Sequence, residues 1–305
     1  MRATLHNTSD MFTGSLVAVV TPMKSGVGPD TPVDPEGLER LLEYHIENKS
    51  DGIVAVGTTG ESATLMLAEH CELIRQVVEI VNKRIPVIAG TGANSTIEAI
   101  ELTACAKEAG ADACLLVTPY YNKPTQAGLY EHFKVIAASV SIPQILYNVP
   151  GRTACDMLPG TVSRLAQLDN IVGVKEATGD LTRVKAIREA CGDDFLLLSG
   201  DDETACDFML MGGDGVISVT ANVAPAAMHE LSRLARTGHR EAAKVIDAKL
   251  LGLHQSLFLE SNPIPVKWAV RRLGLIEDGI RLPMTWLSED LCAQVEAAMK
   301  QAEVL

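Results

Sequence analysis

Lys175 lies in a part of the sequence where a lysine is expected to be buried rather than exposed to solvent. It is the one lysine inside an apolar run typical of a buried strand, IVGVKE at 171–176. Burying an unpaired ammonium group is costly, and the usual response is a lowered pKa. Because a neutral amine can attack a carbonyl carbon, the position predicts Schiff-base chemistry at Lys175. The alternative is a structural role, in which the side chain reaches solvent and pairs with Glu176 or another acid.

Two further features offer groups that could assist such a lysine. Tyr147 ends the preceding apolar run, and its phenol could relay protons during imine formation. The alternative for Tyr147 is an aromatic cap with its hydroxyl bound to the backbone. GTTGE at 57–61 follows the second apolar run, where two glycines free the backbone and consecutive N–H groups can hold a carboxylate. The hydroxyls of Thr58 and Thr59 add donors, and Thr59 could join a proton relay, although Gly-Thr turns are also common without a ligand.

Eight short apolar runs separated by helical patterns must position these residues. The runs are continuous rather than alternating, as expected of parallel strands buried on both faces. They lie at 15–21, 52–57, 85–90, 113–118, 143–148, 171–176, 195–200 and 215–220. This order predicts an α/β fold, a (β/α)₈ TIM barrel, with a doubly wound open sheet as the second choice. A barrel carries its chemistry at the carboxyl ends of its strands, where all the candidates above lie.

Helix start signals and the length of the C-terminal part complete the predicted organisation. Asp34 before Pro35 predicts a helix start, and Ser95 with Glu98 matches a capping box. Beyond the eighth run, about three helices more than the barrel needs are expected. The helical segments after that run are 223–236, 239–259, 263–273 and 288–302. The predicted organisation is a polar extension (1–10), the barrel (11–236) and a helical appendix packed on it (237–305).

Composition and charge exclude several classes of function. The chain has 305 residues, a net charge of −13, 47% hydrophobic residues and 4% aromatic residues. An acidic surface argues against nucleic acid or an anionic membrane as the main partner. No apolar run approaches the roughly 18 residues of a membrane span, and residues 1–10 lack the apolar core of a signal peptide. A core poor in aromatics suits helices and parallel strands.

Neither a metal site nor a disulfide framework is expected from the chain. The seven histidines lie away from strand ends, so no metal is predicted, and Asp201-Asp202 is interpreted as a helix cap after a strand. No Walker or GxGxxG sequence supports nucleotide binding. The seven scattered cysteines predict buried free thiols in a reducing cytoplasm. These cysteines are Cys71, Cys105, Cys114, Cys155, Cys191, Cys206 and Cys292.

At this point the motifs resemble a known family. The chain from about Phe12 onward is similar to bacterial dihydrodipicolinate synthases of the N-acetylneuraminate lyase superfamily. The motifs that carry the resemblance are Phe12-Thr13-Gly14-Ser15, GTTGES at 57–62, VTPYYN at 117–122, YNVP at 147–150, Arg152-Thr153, GVKEA at 173–177, NPIPVK at 262–267 and RLPM at 281–284. The resemblance implies condensation of pyruvate with L-aspartate-4-semialdehyde, without a cofactor other than the covalent Schiff base.

The resemblance also implies a role for each matching residue. Lys175 would form the Schiff base, and Thr58 and Thr59 would hold the pyruvate carboxylate. Arg152 would bind the carboxylate of the semialdehyde; a surface arginine paired with Asp156 is the alternative. The family's remaining implied residues are Gly200 and Ile217 lining the site, and a relay of Tyr147, Thr59 and Tyr121, with Tyr121 reaching in from a neighbouring subunit. A homotetramer built as a dimer of dimers is implied.

Members of the family that respond to lysine carry an inhibitor site, and this chain matches its residue types. The matching residues are Ser62, Ala63, His70, Asn94, Glu98 and Tyr120. One departure is Leu67, which stands where some members have a histidine that touches the inhibitor. L-lysine is therefore an expected inhibitor whose strength the sequence leaves open.

Two other functions stay open at the level of sequence. A sister activity, N-acetylneuraminate lyase or a keto-deoxy sugar acid aldolase, would use the same lysine but requires a pocket rich in hydroxyl groups. Arg152 and the Tyr120-Tyr121 pair favour a short aldehyde acid instead. A barrel without catalysis, binding a keto acid or an amino acid to regulate a partner, would be indicated by loss of Lys175 or Tyr147, and neither is lost.

Overall fold

Parallel strands close into a barrel in the computed structural model, which describes residues 9–305. The strands in chain order are β1 (Gly14–Ala18), β2 (Gly26–Gly28), β3 (Gly52–Ala55), β4 (Val87–Gly90), β5 (Ala113–Val117), β6 (Gln144–Asn148), β7 (Ile171–Glu176), β8 (Leu196–Ser199), β9 (Gly215–Ser218) and β10 (Gly279–Arg281). The barrel order is β1, then β3 through β9, and β1 pairs in parallel with both β3 and β9. This closure confirms the (β/α)₈ barrel and rejects the open sheet.

Helices alternate with the barrel strands and continue beyond them. They are α1 (Pro35–Glu47), α2 (Leu67–Val81), α3 (Thr96–Ala109), α4 (Gln126–Ser139), α5 (Pro150–Thr153), α6 (Pro159–Leu165), α7 (Thr182–Cys191), α8 (Ala205–Leu210), α9 (Pro225–Arg236), α10 (Arg240–Ser256), α11 (Ile264–Arg272) and α12 (Glu289–Gln301). Three of them follow α9, as expected from the length of the C-terminal region. No helix of residues 9–305 is long and apolar enough to cross a membrane.

Each barrel strand divides its side chains between two apolar clusters. In β6, Ile145 and Tyr147 belong to the cluster inside the barrel, whereas Leu146 belongs to the larger cluster between strands and helices. Adjacent side chains of a strand point to opposite faces, and both faces here are covered. The continuous apolar runs of the sequence reflect this double burial. The same alternation sends Lys175 of β7 into the barrel and Glu176 outward.

Two local expectations, the side-chain caps at Asp34 and Ser95, need correction. α1 and α3 begin as predicted, but neither Asp34 nor Ser95 makes a side-chain cap hydrogen bond. Asp34 pairs with Lys24 instead, and Glu98 of the expected capping box faces a cavity described below. Between two of the predicted helical segments of the C-terminal region lies β10, which pairs with β2 in a separate two-stranded sheet. Of the predicted extension, residues 1–8 lie outside the described part of the chain.

The cysteine prediction is wrong for one pair. Cys71 of α2 and Cys105 of α3 form a disulfide, with their Cα atoms 5.9 Å apart. The two helices are neighbours in the barrel, so packing brings together residues that are 34 positions apart in the chain. Cys114, Cys155 and Cys206 are buried free thiols, whereas the free thiols of Cys191 and Cys292 are only half-buried.

Candidate active site

Lys175 lies inside the barrel near the carboxyl end of β7. Its residue is 5% exposed, and burial lowers the pKa of its amine to about 7. The positive charge of Arg152 lowers that pKa as well, whereas the negative charge of Asp202 opposes the shift. Glu176, the proposed alternative partner, faces Arg183 of α7 at 3.5 Å. Lys175 therefore neither reaches solvent nor pairs with Glu176. Its amine is buried, and a pKa of about 7 allows it to lose its proton near neutral pH.

A cavity of about 150 Å³ opens at this end of the barrel. It is lined by most of the predicted site residues: Thr58, Thr59, Tyr147, Arg152, Lys175 and Gly200. Gly200 is required by space, because a Cβ there would lie 2.6 Å from Cβ of Ala177 and 2.7 Å from Cε of Lys175. Ile217 does not line the cavity and is instead buried in the apolar cluster inside the barrel.

Tyr147 lies directly beside Lys175. The two residues are paired in the β6–β7 register, and Nζ of Lys175 lies 4.3 Å from the centre of the tyrosine ring. Burial raises the pKa of the phenol, while the charge of Arg152 and a hydrogen bond with the Thr58 side chain act in the opposite direction. The hydroxyl thus interacts with a side chain next to the reactive amine, an arrangement that a proton relay would use, and the relay role of Tyr147 stays a prediction.

The two threonines of GTTGE have different partners. Thr58 interacts with the hydroxyl of Tyr147, whereas Oγ1 of Thr59 accepts a hydrogen bond of 2.9 Å from Nδ2 of Asn262. Both line the cavity, but this pairing favours Thr58 over Thr59 as the relay threonine. The two hydroxyls cannot be told apart in the sequence, because only the path of the loop decides which one meets Tyr147.

Arg152 lies in the short helix α5, which directly follows β6. Its Nη2 donates a hydrogen bond of 3.2 Å to the backbone oxygen of Asn262. Asp156, the alternative partner, is held by Arg183 at 2.9 and 2.6 Å. The guanidinium of Arg152 lines the cavity and keeps donors for a ligand, which is the geometry that a carboxylate prefers.

Tyr121, like Ile217, does not line the cavity within one chain. It is 89% exposed and has a backbone φ of +73°, a left-handed conformation that is costly for a residue with a Cβ. The loop therefore holds the ring out from the surface at the expense of backbone strain. Its expected role in a neighbouring subunit stays a prediction.

A second cavity of about 290 Å³ adjoins the first. Of the predicted inhibitor residues it is lined by Ser62, Ala63, His70, Glu98 and Tyr120, together with Leu67. Asn94 does not line it, and its carbonyl oxygen accepts a hydrogen bond of 2.9 Å from Asn122. Nε2 of His70 contacts the oxygen of Gly90 at 2.8 Å, and burial lowers the pKa of its imidazole. Thr58, Ser62, Arg152 and Asn262 line both cavities.

Sequence reasoning missed a buried ion pair beneath the GTTGE loop. Glu61 and Lys267 form a salt bridge in which both side chains are 0% exposed. The other carboxylate oxygen of Glu61 accepts a hydrogen bond of 3.2 Å from the backbone N–H of Arg281, whose guanidinium binds Glu69 of α2 at 2.6 Å. Both charged residues stood in quoted motifs, but their separation of 206 positions gave no sign of contact.

The two aspartates after β8 organise the backbone. Oδ2 of Asp202 accepts 2.9 Å hydrogen bonds from the N–H groups of Val219 and Thr220, and Asp201 accepts one from Thr204 just before α8. Asp201 thus acts near a helix start, whereas Asp202 joins the ends of β8 and β9. Within residues 9–305, no cluster of three or more His, Cys, Asp or Glu side chains is arranged to hold a metal ion.

Comparison with known proteins decides the family. The model of the dihydrodipicolinate synthetase family matches residues 11–302. The chain belongs to this family. A 4-hydroxy-tetrahydrodipicolinate synthase of Methylococcus capsulatus is 63% identical over 295 residues, which is 97% of this chain and 100% of the relative. The expectation from the sequence motifs is confirmed.

Solved structures of the family share the fold. A chloride-inhibited dihydrodipicolinate synthase from Acinetobacter baumannii, complexed with pyruvate, is 55% identical with a TM-score of 0.93, covering 96% of this chain and 99% of that one. A lysine-bound synthase from Cyanidioschyzon merolae is 40% identical with a TM-score of 0.92, covering 97% and 99%.

Proposed function

We propose that this chain condenses pyruvate with L-aspartate-4-semialdehyde to 4-hydroxy-tetrahydrodipicolinate, the committed step towards diaminopimelate and lysine. The shared name of its curated relatives confirms the expectation of a lyase of this type. The observation that carries the proposal is Lys175, an amine buried at a strand end with its pKa lowered to about 7, beside Tyr147 in a cavity of about 150 Å³. No cofactor is proposed, since the imine with pyruvate supplies the electron sink.

The first half of the reaction is imine formation. The neutral amine of Lys175 attacks the keto carbon of pyruvate, and loss of water from the carbinolamine gives the Schiff base. Protons must reach the departing oxygen, and the pair of Tyr147 and Thr58 lies next to the amine to deliver them. The Thr59 hydroxyl and the neighbouring Thr58 hold the pyruvate carboxylate.

The second half is carbon–carbon bond formation. The Tyr147–Thr58 pair takes a proton from the methyl group of the Schiff base, and the resulting enamine attacks the aldehyde carbon of the second substrate, whose oxygen takes up a proton and becomes the hydroxyl group. The amino group of the semialdehyde then attacks the imine carbon and displaces the amine of Lys175, which closes the ring and releases the enzyme. Arg152 lies at the junction of the two cavities, so its guanidinium can take the carboxylate of the semialdehyde while the aldehyde points to Lys175. An acidic protein attracts two anionic substrates only through such local donors.

Reduction with borohydride tests the covalent step. Incubation with pyruvate and borohydride is expected to add one reduced pyruvate unit to the protein, located by peptide mass spectrometry at Lys175, because hydride makes the imine irreversible. Protein treated with borohydride alone is the control. No added mass, or an adduct on another lysine, would refute the proposal; normal turnover would also eliminate a barrel without catalysis.

Arg152→Met is expected to raise KM for the semialdehyde about 10- to 100-fold, the size of a lost hydrogen bond to a charged group. The trapping of pyruvate should remain. The exposed Arg164, whose guanidinium stacks on Tyr130, provides a matched control in Arg164→Met. Steady-state kinetics with the semialdehyde and with the aldehydes of the sister sugar acid reactions checks both points. Equal losses for both substrates, or turnover of the polyhydroxylated aldehydes, would contradict the assignment.

We also propose the quaternary and cellular setting that the family resemblance implies. The exposed, strained Tyr121 supports a contribution to the site of a neighbouring subunit in a dimer of dimers. One relative, 42% identical, is described as a monomeric variant, so sedimentation analysis of this chain is needed. The free thiols at the remaining cysteines support a cytoplasmic location, although the pair of Cys71 and Cys105 departs from that pattern.

Inhibition by L-lysine is proposed to act through the second cavity. Glu98→Gln is expected to weaken inhibition about 10- to 100-fold, because the carboxylate is the natural partner of a ligand ammonium group. Glu101→Gln, on the exposed face of the same helix, is the control. Leu67→His should strengthen inhibition, since Leu67 lines this cavity. The inhibition constants decide; a wild-type enzyme indifferent to lysine, or equal effects of the two glutamate variants, would reject the site.

A further inference from the structure

Asn262 connects the C-terminal region to the catalytic cavity. It lies between α10 and α11, is 6% exposed, and lines both cavities. Its Nδ2 donates to Oγ1 of Thr59 at 2.9 Å, across 203 positions of sequence, and its backbone oxygen accepts from Nη2 of Arg152 at 3.2 Å. One residue thus binds both groups that are proposed to hold the substrate carboxylates, and its side chain donates to Thr59 whereas its backbone accepts from Arg152.

The direction of the bond to Thr59 determines what that hydroxyl can do. A threonine hydroxyl has one proton to donate and lone pairs to accept. Because the amide N–H of Asn262 donates, it occupies a lone pair and leaves the proton of Thr59 free for another acceptor. Thr59 is 3% exposed and lines the catalytic cavity, where the carboxylate of pyruvate would be that acceptor.

The side-chain amide of Asn262 carries an energetic penalty at this buried position. Its Oδ1 is buried without a hydrogen-bond partner in the described part of the chain. A buried unsatisfied acceptor is less favourable than an apolar side chain of the same shape. Space filling alone would be served better by leucine, so the donor Nδ2 is the group that accounts for an amide at this position.

We propose that Asn262 is a positioning residue, which holds the Thr59 hydroxyl with its proton directed at the substrate carboxylate. The inference rests on the proposed role of Thr59 in binding pyruvate. It assigns the C-terminal region a part in substrate binding, because the donor comes from outside the eight strand–helix units of the barrel. The effect is specific to pyruvate, since Arg152 is held by the backbone oxygen, which a side-chain substitution leaves in place.

Kinetics of two variants test this role. Asn262→Leu keeps the approximate shape of the side chain and removes the Nδ2 donor, whereas Asn262→Ala removes both the donor and most of the side chain. Each is expected to raise KM for pyruvate about tenfold, the effect of one lost hydrogen bond. KM for the semialdehyde should change less than twofold. Ser261→Ala, at the exposed neighbouring position, is the control for disturbance of the segment, and thermal unfolding checks that each variant is folded.

A double-mutant cycle gives the decisive readout. In a Thr59→Val background the hydroxyl is gone, so Asn262→Leu is expected to have no further effect on KM for pyruvate. Wild-type behaviour of Asn262→Leu, equal effects on both substrates, or a full tenfold effect in the Thr59→Val background would overturn the proposal. Trapping of pyruvate on wild-type Lys175 distinguishes failure of the proposed function from failure of this inference. If no pyruvate is trapped, the proposed function is wrong. If pyruvate is trapped but Asn262 and Thr59 show no energetic coupling, only the role of Asn262 is wrong.

Discussion

Lys175→Met is expected to abolish the pyruvate adduct and to reduce turnover by more than the roughly 10²- to 10⁴-fold that a general acid or base contributes. The side chain is the nucleophile, so its loss removes the covalent intermediate and not merely a proton transfer. Methionine fills similar space and removes a buried amine, and the barrel should stay folded. Lys175→Arg should be equally inactive, because a guanidinium keeps the charge but does not form an imine.

Lys185→Met, at an exposed lysine of α7, is the matched control and should leave turnover unchanged. Coupled turnover and the mass of the borohydride-treated protein measure the two effects. If Lys175→Arg kept substantial activity, the lysine would act through its charge and the covalent mechanism would fall.

The pH profile checks the same amine in the wild-type enzyme. Only the neutral form attacks, so kcat/KM for pyruvate should rise with pH, pass its midpoint near the pKa of about 7, and level off above it. Burial is the main cause of the low pKa, with Arg152 contributing in the same direction. A midpoint near the ordinary value of 10.5 would mean that the amine is solvated in the free enzyme.

Lys267→Met is expected to destabilise the fold by about 3–5 kcal/mol, because it leaves the carboxylate of Glu61 buried without its cation. Both side chains of this pair are 0% exposed, so water cannot replace the lost partner. Glu61 is the last residue of the GTTGE loop and has a φ of +59°, so its loss of anchorage should also disturb Thr58 and Thr59. Activity should therefore fall together with stability.

The double variant Glu61→Gln, Lys267→Met should recover much of the lost stability, since no buried charge is left unpaired. Denaturant unfolding of the single and double variants measures the coupling, and Lys185→Met, in an exposed pair with Glu189, should be close to wild type. If Lys267→Met were as stable as that control, the prediction would be wrong, because the carboxylate of Glu61 would not depend on Lys267.

Much of the fold was readable from the sequence because its signals are local. A parallel strand covered on both faces needs a continuous apolar run, and eight such runs with helical patterns between them indicated the barrel. The same local reasoning indicated Lys175, because burying an unpaired charged residue within an apolar strand is costly, and a lysine at such a position favours a catalytic role. Strand ends then named Tyr147 and the GTTGE loop, which the structure brings to one cavity.

What only the tertiary structure decided depends on contacts between distant parts of the chain. Which threonine meets Tyr147, the bond of Asn262 to Thr59, the pairing of Glu61 with Lys267 and the disulfide between α2 and α3 all follow from packing. Residues 203 and 206 positions apart leave no periodic or motif signal of their proximity, because hydrogen bonds and ion pairs act over a few ångströms of space. The local sequence thus determined which groups can react, and the closed barrel determined which of them meet.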